Sequence, residues 1–127
     1  MTKRLVTTSD AAAPGAHYSQ GIVANGFLYT AGLGPQDPVT GEIVGTTVQE
    51  QTEQTVANLR AVLAVEGLDL ADVVKATVHL QYLHRDFRDF DGVYRAHFPL
   101  PLPARTTVGS DLWNILVEID VVAALRG

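Results

Sequence analysis

The chain reads as an α+β domain, one mixed sheet of about six strands with two helices packed on one face. Three observations carry that reading. An Asn25-Gly26 pair separates two β-prone runs, a capping-box pattern opens an amphipathic segment at Thr47, and apolar residues alternate from Ile115 to about Ala123. The order of elements is β-ββ-α-β-α-β-β, without the regular crossovers of a doubly wound sheet. At 127 residues the chain suits a single domain, 1–127, with one core.

Leu5-Val6-Thr7-Thr8 is a short first strand, and Ala11 to Gly15 is a loop leading to a second strand near Ser19. Gln20–Ala24 and Phe27–Ala31 flank Asn25-Gly26, two residues that tolerate positive φ, so this is a hairpin. Gly32, Gly34, Pro35, Asp37-Pro38 and Thr40-Gly41-Glu42 make a long turn-rich loop. Thr47-Val48-Gln49-Glu50 starts a helix whose apolar face runs through Val48, Thr52, Val56, Leu59, Val62, Leu63 and Glu66, and Gly67 stops it. From Val74 to Gln81, Val74, Ala76, Val78 and Leu80 alternate with polar residues as a half-buried strand requires. Asp86 is the expected cap of a second helix, with Asp89 in its first turn; Phe87, Phe90, Tyr94, His97 and Phe98 share a face, and Pro99 ends it. A proline-stiffened loop then hands into a strand at Arg105–Val108, and a turn at Gly109-Ser110-Asp111 precedes the final strand. Both faces of that last strand carry apolar residues, so the sheet face away from the helices needs cover, which self-association supplies.

Net charge is −5 with no basic run, which argues against nucleic acid or an anionic membrane as partner. Cysteine is absent, which removes disulfides, thiolate metal sites and cysteine nucleophiles. His17, His79, His84 and His97 show no metal-ligand spacing, and there is no nucleophile elbow, P-loop or dinucleotide fingerprint. No segment reads as a signal peptide or a membrane span, so a cytoplasmic protein is expected.

Two residues are the candidates for chemistry. Arg105, at the start of a strand behind a stiff loop, can aim a planar guanidinium at a carboxylate; the plainer alternative is a surface arginine paired to an acid. Glu118, flanked by Leu116, Val117 and Ile119, is an acid in a mostly apolar strand. A short turn joins their strands, so the two strands are expected to be neighbours and the residues close, either as an ion pair or as an anchor and a water-handling group in one cleft. Asp120, about 7 Å along the same strand face, is a second acid that could pair with Arg105.

Four segments then fall together: Gly15-Ala16-His17-Tyr18-Ser19-Gln20-Gly21, Ala31 to Glu42, Pro103-Ala104-Arg105-Thr106 and Val117-Glu118-Ile119-Asp120. In this order and spacing the chain resembles, over essentially its whole length, the RidA (YjgF-like) family of reactive-intermediate imine and enamine deaminases. The resemblance implies a chorismate-mutase-like fold assembled as a homotrimer with clefts between subunits. It implies hydrolysis of 2-iminoalkanoates such as 2-iminopropanoate or 2-iminobutanoate to a 2-oxo acid and ammonia, with no cofactor and no metal. By match, Arg105 clamps the substrate carboxylate, Glu118 positions or activates water, Tyr18 lines the cleft, and backbone at Gly32 and Thr107 completes it. Leu33 and Asp91 fall at further substrate-binding positions but depart from the family's usual residues: Leu33 stands for glutamine and Asp91 for asparagine. Ala31 replaces a serine, His17 a proline and Thr107 a cysteine, and the turn holding Trp113 is shorter. A more apolar pocket on the Leu33 side would favour imines with larger side chains. Two alternatives keep the fold: a non-catalytic trimeric binder of small carboxylates, and a pathway-specific deaminase of a specialised enamine. Glu118 separates the first from an enzyme, because a carboxylate binder gains nothing from an acid in its cleft.

Overall fold

The computed structural model describes residues 2–127. Its elements are β1 (Arg4–Val6), β2 (Gly21–Ala24), β3 (Phe27–Thr30), α1 (Val48–Ala64), β4 (Val73–Leu80), α2 (Leu83–His97), β5 (Ala104–Gly109) and β6 (Val117–Ala124). Asn25 (φ 52°) and Gly26 (φ 84°) turn β2 into β3, the positive φ at both positions being what a two-residue hairpin requires. Helix α1 begins with a complete capping box: the Thr47 hydroxyl accepts from the Glu50 N–H at 3.2 Å, and the Glu50 carboxylate accepts from the Thr47 N–H at 3.2 Å. Beyond the helix, Gly67 takes φ 71° and the Leu68 N–H returns to the Leu63 carbonyl at 3.1 Å. A single 3₁₀ turn, Leu70–Asp72, links α1 to β4.

The strands form one six-stranded sheet in the order β1-β2-β3-β6-β4-β5. Every neighbouring pair is antiparallel except β4 and β5, which run parallel because α2 forms the crossover between them. The last strand therefore inserts into the middle of the sheet, and β5 becomes an edge. Val117, Ile119, Val121 and Ala123 of β6, with Ala76, Val78 and Leu80 of β4, are buried under Val56, Leu59, Val62 and Leu63 of α1 and under Phe90, Tyr94 and Phe98. Truncating a side chain here, Leu59 for example, costs about 2–5 kcal/mol through lost transfer energy and the cavity left behind.

Among the described residues no helix covers the opposite face. Leu5, Ile22, Tyr29 and Val122 line up across β1, β2, β3 and β6, and Leu5 and Tyr29 are exposed. This apolar row needs cover, as the two-sided pattern of β6 led us to expect.

Three local expectations need correction. Helix α2 starts at Leu83 with Tyr82 at its cap and no side-chain cap bond, because the chain turns into the helix almost directly after β4. Asp86 lies inside the first turn instead, buried and bound by the Arg85 guanidinium at 2.8 and 2.9 Å, and Asp89 falls beyond that turn. In β4 a register shift between Val73 and Lys75 turns Val73 inward and leaves Val74 exposed, against the simple alternation.

Candidate active site

Glu118 projects from the helix-free face of β6 into a cleft of about 480 Å³ that it shares with Tyr18, Gly32, Leu33 and Gly34. The β6 backbone brings it there: Leu33 and Ile119 exchange N–H to C=O bonds of 2.9 and 3.0 Å, which tie the loop after β3 to the strand. A methyl carbon at Gly32 would lie 2.6 Å from Glu118 Oε2 and 2.8 Å from its carboxyl carbon, so any side chain there forces the carboxylate out of this position. Among the described residues, Glu118 has neither an ion-pair partner nor a hydrogen-bond donor. Tyr18 borders the cleft half-exposed, its hydroxyl accepting from the Gly15 N–H at 3.0 Å. Leu33 borders it too, but the residue is only 4% exposed and its side chain belongs to the core, which leaves little of it to select a substrate side chain.

The walls of this cleft are held by buried amides that the sequence reading passed over. Asn58, on the inward face of α1, donates to the carbonyls of Gly34 and Gln36 at 2.9 Å each and accepts from the Ala12 N–H at 3.2 Å. Gln20 accepts from the Thr8 N–H at 2.8 Å and donates to the Ala12 carbonyl at 2.8 Å. Gln51, in the neighbouring depression, bridges the Leu116 N–H (2.8 Å) and the Gly45 carbonyl (3.1 Å), next to the start of β6. Buried side-chain amides persist where every polar atom finds a partner, and here the partners are the loops around Glu118. Their signal in the sequence was polar residues at inward helical positions: Gln51, Thr55 and Asn58 interleave with Val48, Thr52, Val56, Leu59 and Val62. The turn from Pro38 to Glu42 closes on itself, with Asp37 Oδ1 accepting from the N–H groups of Val39 (2.8 Å) and Thr40 (3.0 Å). Those two donors hold the Asp37 carboxyl below its ordinary range.

Arg105 lies elsewhere. It is in register with Ala76 and, through it, with Val121, both buried under the helices, so its side chain leaves β5 toward α2. Its guanidinium carbon is 4.5 Å from the centroid of the Tyr94 ring and 5.5 Å from that of Phe90, a cation resting on aromatic faces. One nitrogen donates to Asp91 Oδ1 at 2.7 Å. Arg105 thus has its acid partner, and it is Asp91 of α2, not Glu118 or Asp120. The Tyr94 hydroxyl is buried beneath without a hydrogen-bond partner among the described residues. Burial pushes that phenol up, with the Arg105 charge pulling against it. Thr107 sits on the same strand face as Arg105, above a depression edged by Leu83 and Phe87.

The two principal residues do not meet within one chain. Glu118 pairs in register with His79 on the open face, whereas Arg105 points to the helical face one strand beyond β4. The expectation that a short turn makes their strands neighbours is overturned by β4, which lies between them. Asp120 also faces the open side, 4.0 Å from His79 Nε2, and His79 Nδ1 is 2.7 Å from the Ser110 hydroxyl. Burial raises the Asp120 carboxyl, with His79 and Lys75 opposing. His97 pairs with Glu53 at 2.9 Å. Among the described residues no group of three or more histidine, cysteine or acidic side chains is arranged to hold a metal ion, and no helix is long and apolar enough to cross a membrane.

The family profile described as "Endoribonuclease L-PSP" matches residues 8–125. The chain is 39% identical to "RutC family protein PH0854" of Pyrococcus horikoshii, covering 95% of this chain and 97% of that one. It is 38% identical to "Reactive Intermediate Deaminase A, chloroplastic" of Arabidopsis thaliana, over 97% of this chain and 66% of the relative. The crystal structure of RidA from the Antarctic bacterium Psychrobacter sp. PAMC 21119 superposes with a TM-score of 0.91 at 31% identity, covering 96% and 99% of the two chains. Backbone, profile and relatives agree, and the chain belongs to the YjgF/RidA family.

Proposed function

We propose that this protein is a hydrolytic deaminase of 2-iminoalkanoates, acting as a homotrimer with its clefts between subunits. The observation that carries the reading is Glu118: a carboxylate beside a glycine that makes room for it, in a cleft, with no cation among the described residues to neutralise it. A purely structural acid in an apolar strand would be paired. The deaminase relative in Arabidopsis supports the same reading.

In the reaction, water attacks C2 of the iminium as Glu118 takes one of its protons, and the C=N π pair moves to nitrogen. The proton then returns to nitrogen, the C–N bond breaks with its electron pair leaving on ammonia, and Glu118 takes the remaining hydroxyl proton as the carbonyl of the 2-oxo acid forms and passes it to ammonia, which departs as ammonium. An iminium carbon is already electrophilic, so orientation by Arg105 and one proton-handling group are sufficient. Arg105 of one chain cannot serve Glu118 of the same chain, because they face opposite sides of the sheet. The cleft therefore needs a second copy to supply the arginine, and the partly exposed apolar row Leu5, Ile22, Tyr29 and Val122 is a surface on which copies can associate. A net charge of −5 speaks against RNA as the substrate.

The test generates imines with an amino-acid oxidase in the presence of semicarbazide and follows the trapped imine. The protein is expected to deplete it, and Arg105→Ala and Glu118→Ala are expected to lose that effect. A folded wild type inactive toward imines of small and large amino acids alike would leave a carboxylate binder as the correct reading.

A further inference from the structure

Asp91 changes what the arginine anchor can hold. Arg105 presents five N–H donors, and among the described residues one of them donates to Asp91 Oδ1 at 2.7 Å. The guanidinium side chain is 19% exposed and the Asp91 side chain 44%, so the pair opens to solvent from a floor of Phe90 and Tyr94. Asp91 Oδ2 accepts no hydrogen bond among the described residues. The anchor is therefore neutral overall, with one edge of the cation and one oxygen of the anion both available.

We propose that Asp91 makes this anchor selective for zwitterions, favouring a carboxylate whose adjacent nitrogen is protonated over a carboxylate that carries no cation. The inference rests on the deaminase reading and deepens it. Any carboxylate docked on the remaining edge of Arg105 lies on the order of 5–6 Å from the Asp91 carboxylate, a range in which like charges oppose each other and opposite charges attract. A 2-iminoalkanoate with its nitrogen protonated has no net charge, and Asp91 attracts the nitrogen while Arg105 takes the carboxylate. The 2-oxo acid produced from it carries a net negative charge and meets only the repulsion. Asp91 thereby retains substrate and expels product, a discrimination that an uncharged residue at this position does not supply.

Asparagine keeps an oxygen for the Arg105 N–H and removes only the charge, and position 91 is open enough to accept it without disturbing the fold. The experiment compares binding of L-alanine, a stable zwitterion, and pyruvate, a 2-oxo acid, by titration calorimetry for wild type, Asp91→Asn and Arg105→Ala. Asp91→Asn is expected to shift the pyruvate-over-alanine affinity ratio by roughly tenfold toward pyruvate, the size of a like-charge interaction at this separation in a partly solvated site. Arg105→Ala is expected to bind neither. An unchanged ratio in Asp91→Asn, with binding still lost in Arg105→Ala, overturns the role of Asp91 and leaves the anchor standing. Undiminished pyruvate binding by Arg105→Ala overturns the anchor itself and the zwitterion proposal with it.

Discussion

The region around Glu118 and the region around Arg105 are built by opposite means. Glu118 is surrounded by backbone: the Leu33 bridge to Ile119, the glycine at 32, and loops pinned by Gln20, Gln51 and Asn58. Among the described residues its carboxylate is unpaired. Arg105 is surrounded by side chains, a floor of Phe90 and Tyr94 and a carboxylate from Asp91, and its charge is already matched. A group that handles a proton needs a fixed position and freedom from competing charge, and backbone provides both. A group that recognises a ligand is tuned by its side-chain neighbours, and single substitutions there change selectivity without moving the chain.

If that division is right, the two regions fail in different ways. Glu118→Ala is expected to lower kcat by roughly 10²-fold or more with KM little changed, and Arg105→Ala to act chiefly by raising KM. Steady-state kinetics check this, and the same signature in both variants would break the comparison. Gly32→Ala is the sharper probe of the backbone side. Its methyl group would meet Glu118 Oε2 at 2.6 Å and displace the carboxylate, so turnover is expected to fall roughly 10-fold to 100-fold while alanine and pyruvate bind Arg105 as before. Asn58→Ala tests the scaffold beneath. Leaving the Gly34 and Gln36 carbonyls and the Ala12 N–H without their partner costs about 1–3 kcal/mol in urea unfolding, with hydrogen exchange rising first in the loop from Gly32 to Glu42.

The smallest effect concerns pH and separates paired acids from unpaired ones. Arg4 holds the Glu66 carboxyl low, and Arg126 with the Asp69 N–H does the same for Asp72. Their contribution is complete above the ordinary carboxylate pKa of about 4 and is lost as pH falls through the lowered values. Asp120 has the reverse sign. Its pKa is raised by burial, so its contribution is present in acid and lost as pH rises through the raised value. Asp120→Asn is therefore expected to be the more stable protein at neutral pH and to match wild type in acid. Melting temperatures across pH 3–8 test this, and an Asp120→Asn protein less stable than wild type at neutral pH would reverse the sign assigned here.

Local chemistry was legible where a residue's role depends on its immediate neighbours. Asn25-Gly26 requires a hairpin, Thr47 and Glu50 require a helix start, and Gly67 ends that helix, because each acts through dihedral preference or a bond within a few residues. Arg105 and Glu118 stood out for the same kind of reason, a charge in an unexpected local setting. Their relation did not, since it depends on β6 entering between β3 and β4, a long-range pairing that no local period encodes. Asp91 beside Arg105 was hidden likewise, because a helix residue and a strand residue meet only once the crossover has packed. The start of α2 and the exposure of Val74 show tertiary placement overriding local preference: an aspartate that could cap was buried against Arg85, and an alternation was broken by a bulge.

The proposed division of the site between chains is tested most directly by complementation. Arg105→Ala and Glu118→Ala proteins, each strongly impaired alone at substrate well below the wild-type KM, are mixed in denaturant at equal amounts and refolded together. Random assortment gives about a quarter of the clefts an intact arginine from one chain and an intact glutamate from another, so activity should return to about a quarter of the wild-type value. Co-refolded mixtures that assemble as well as wild type and yet stay inactive would contradict a cleft shared between two copies.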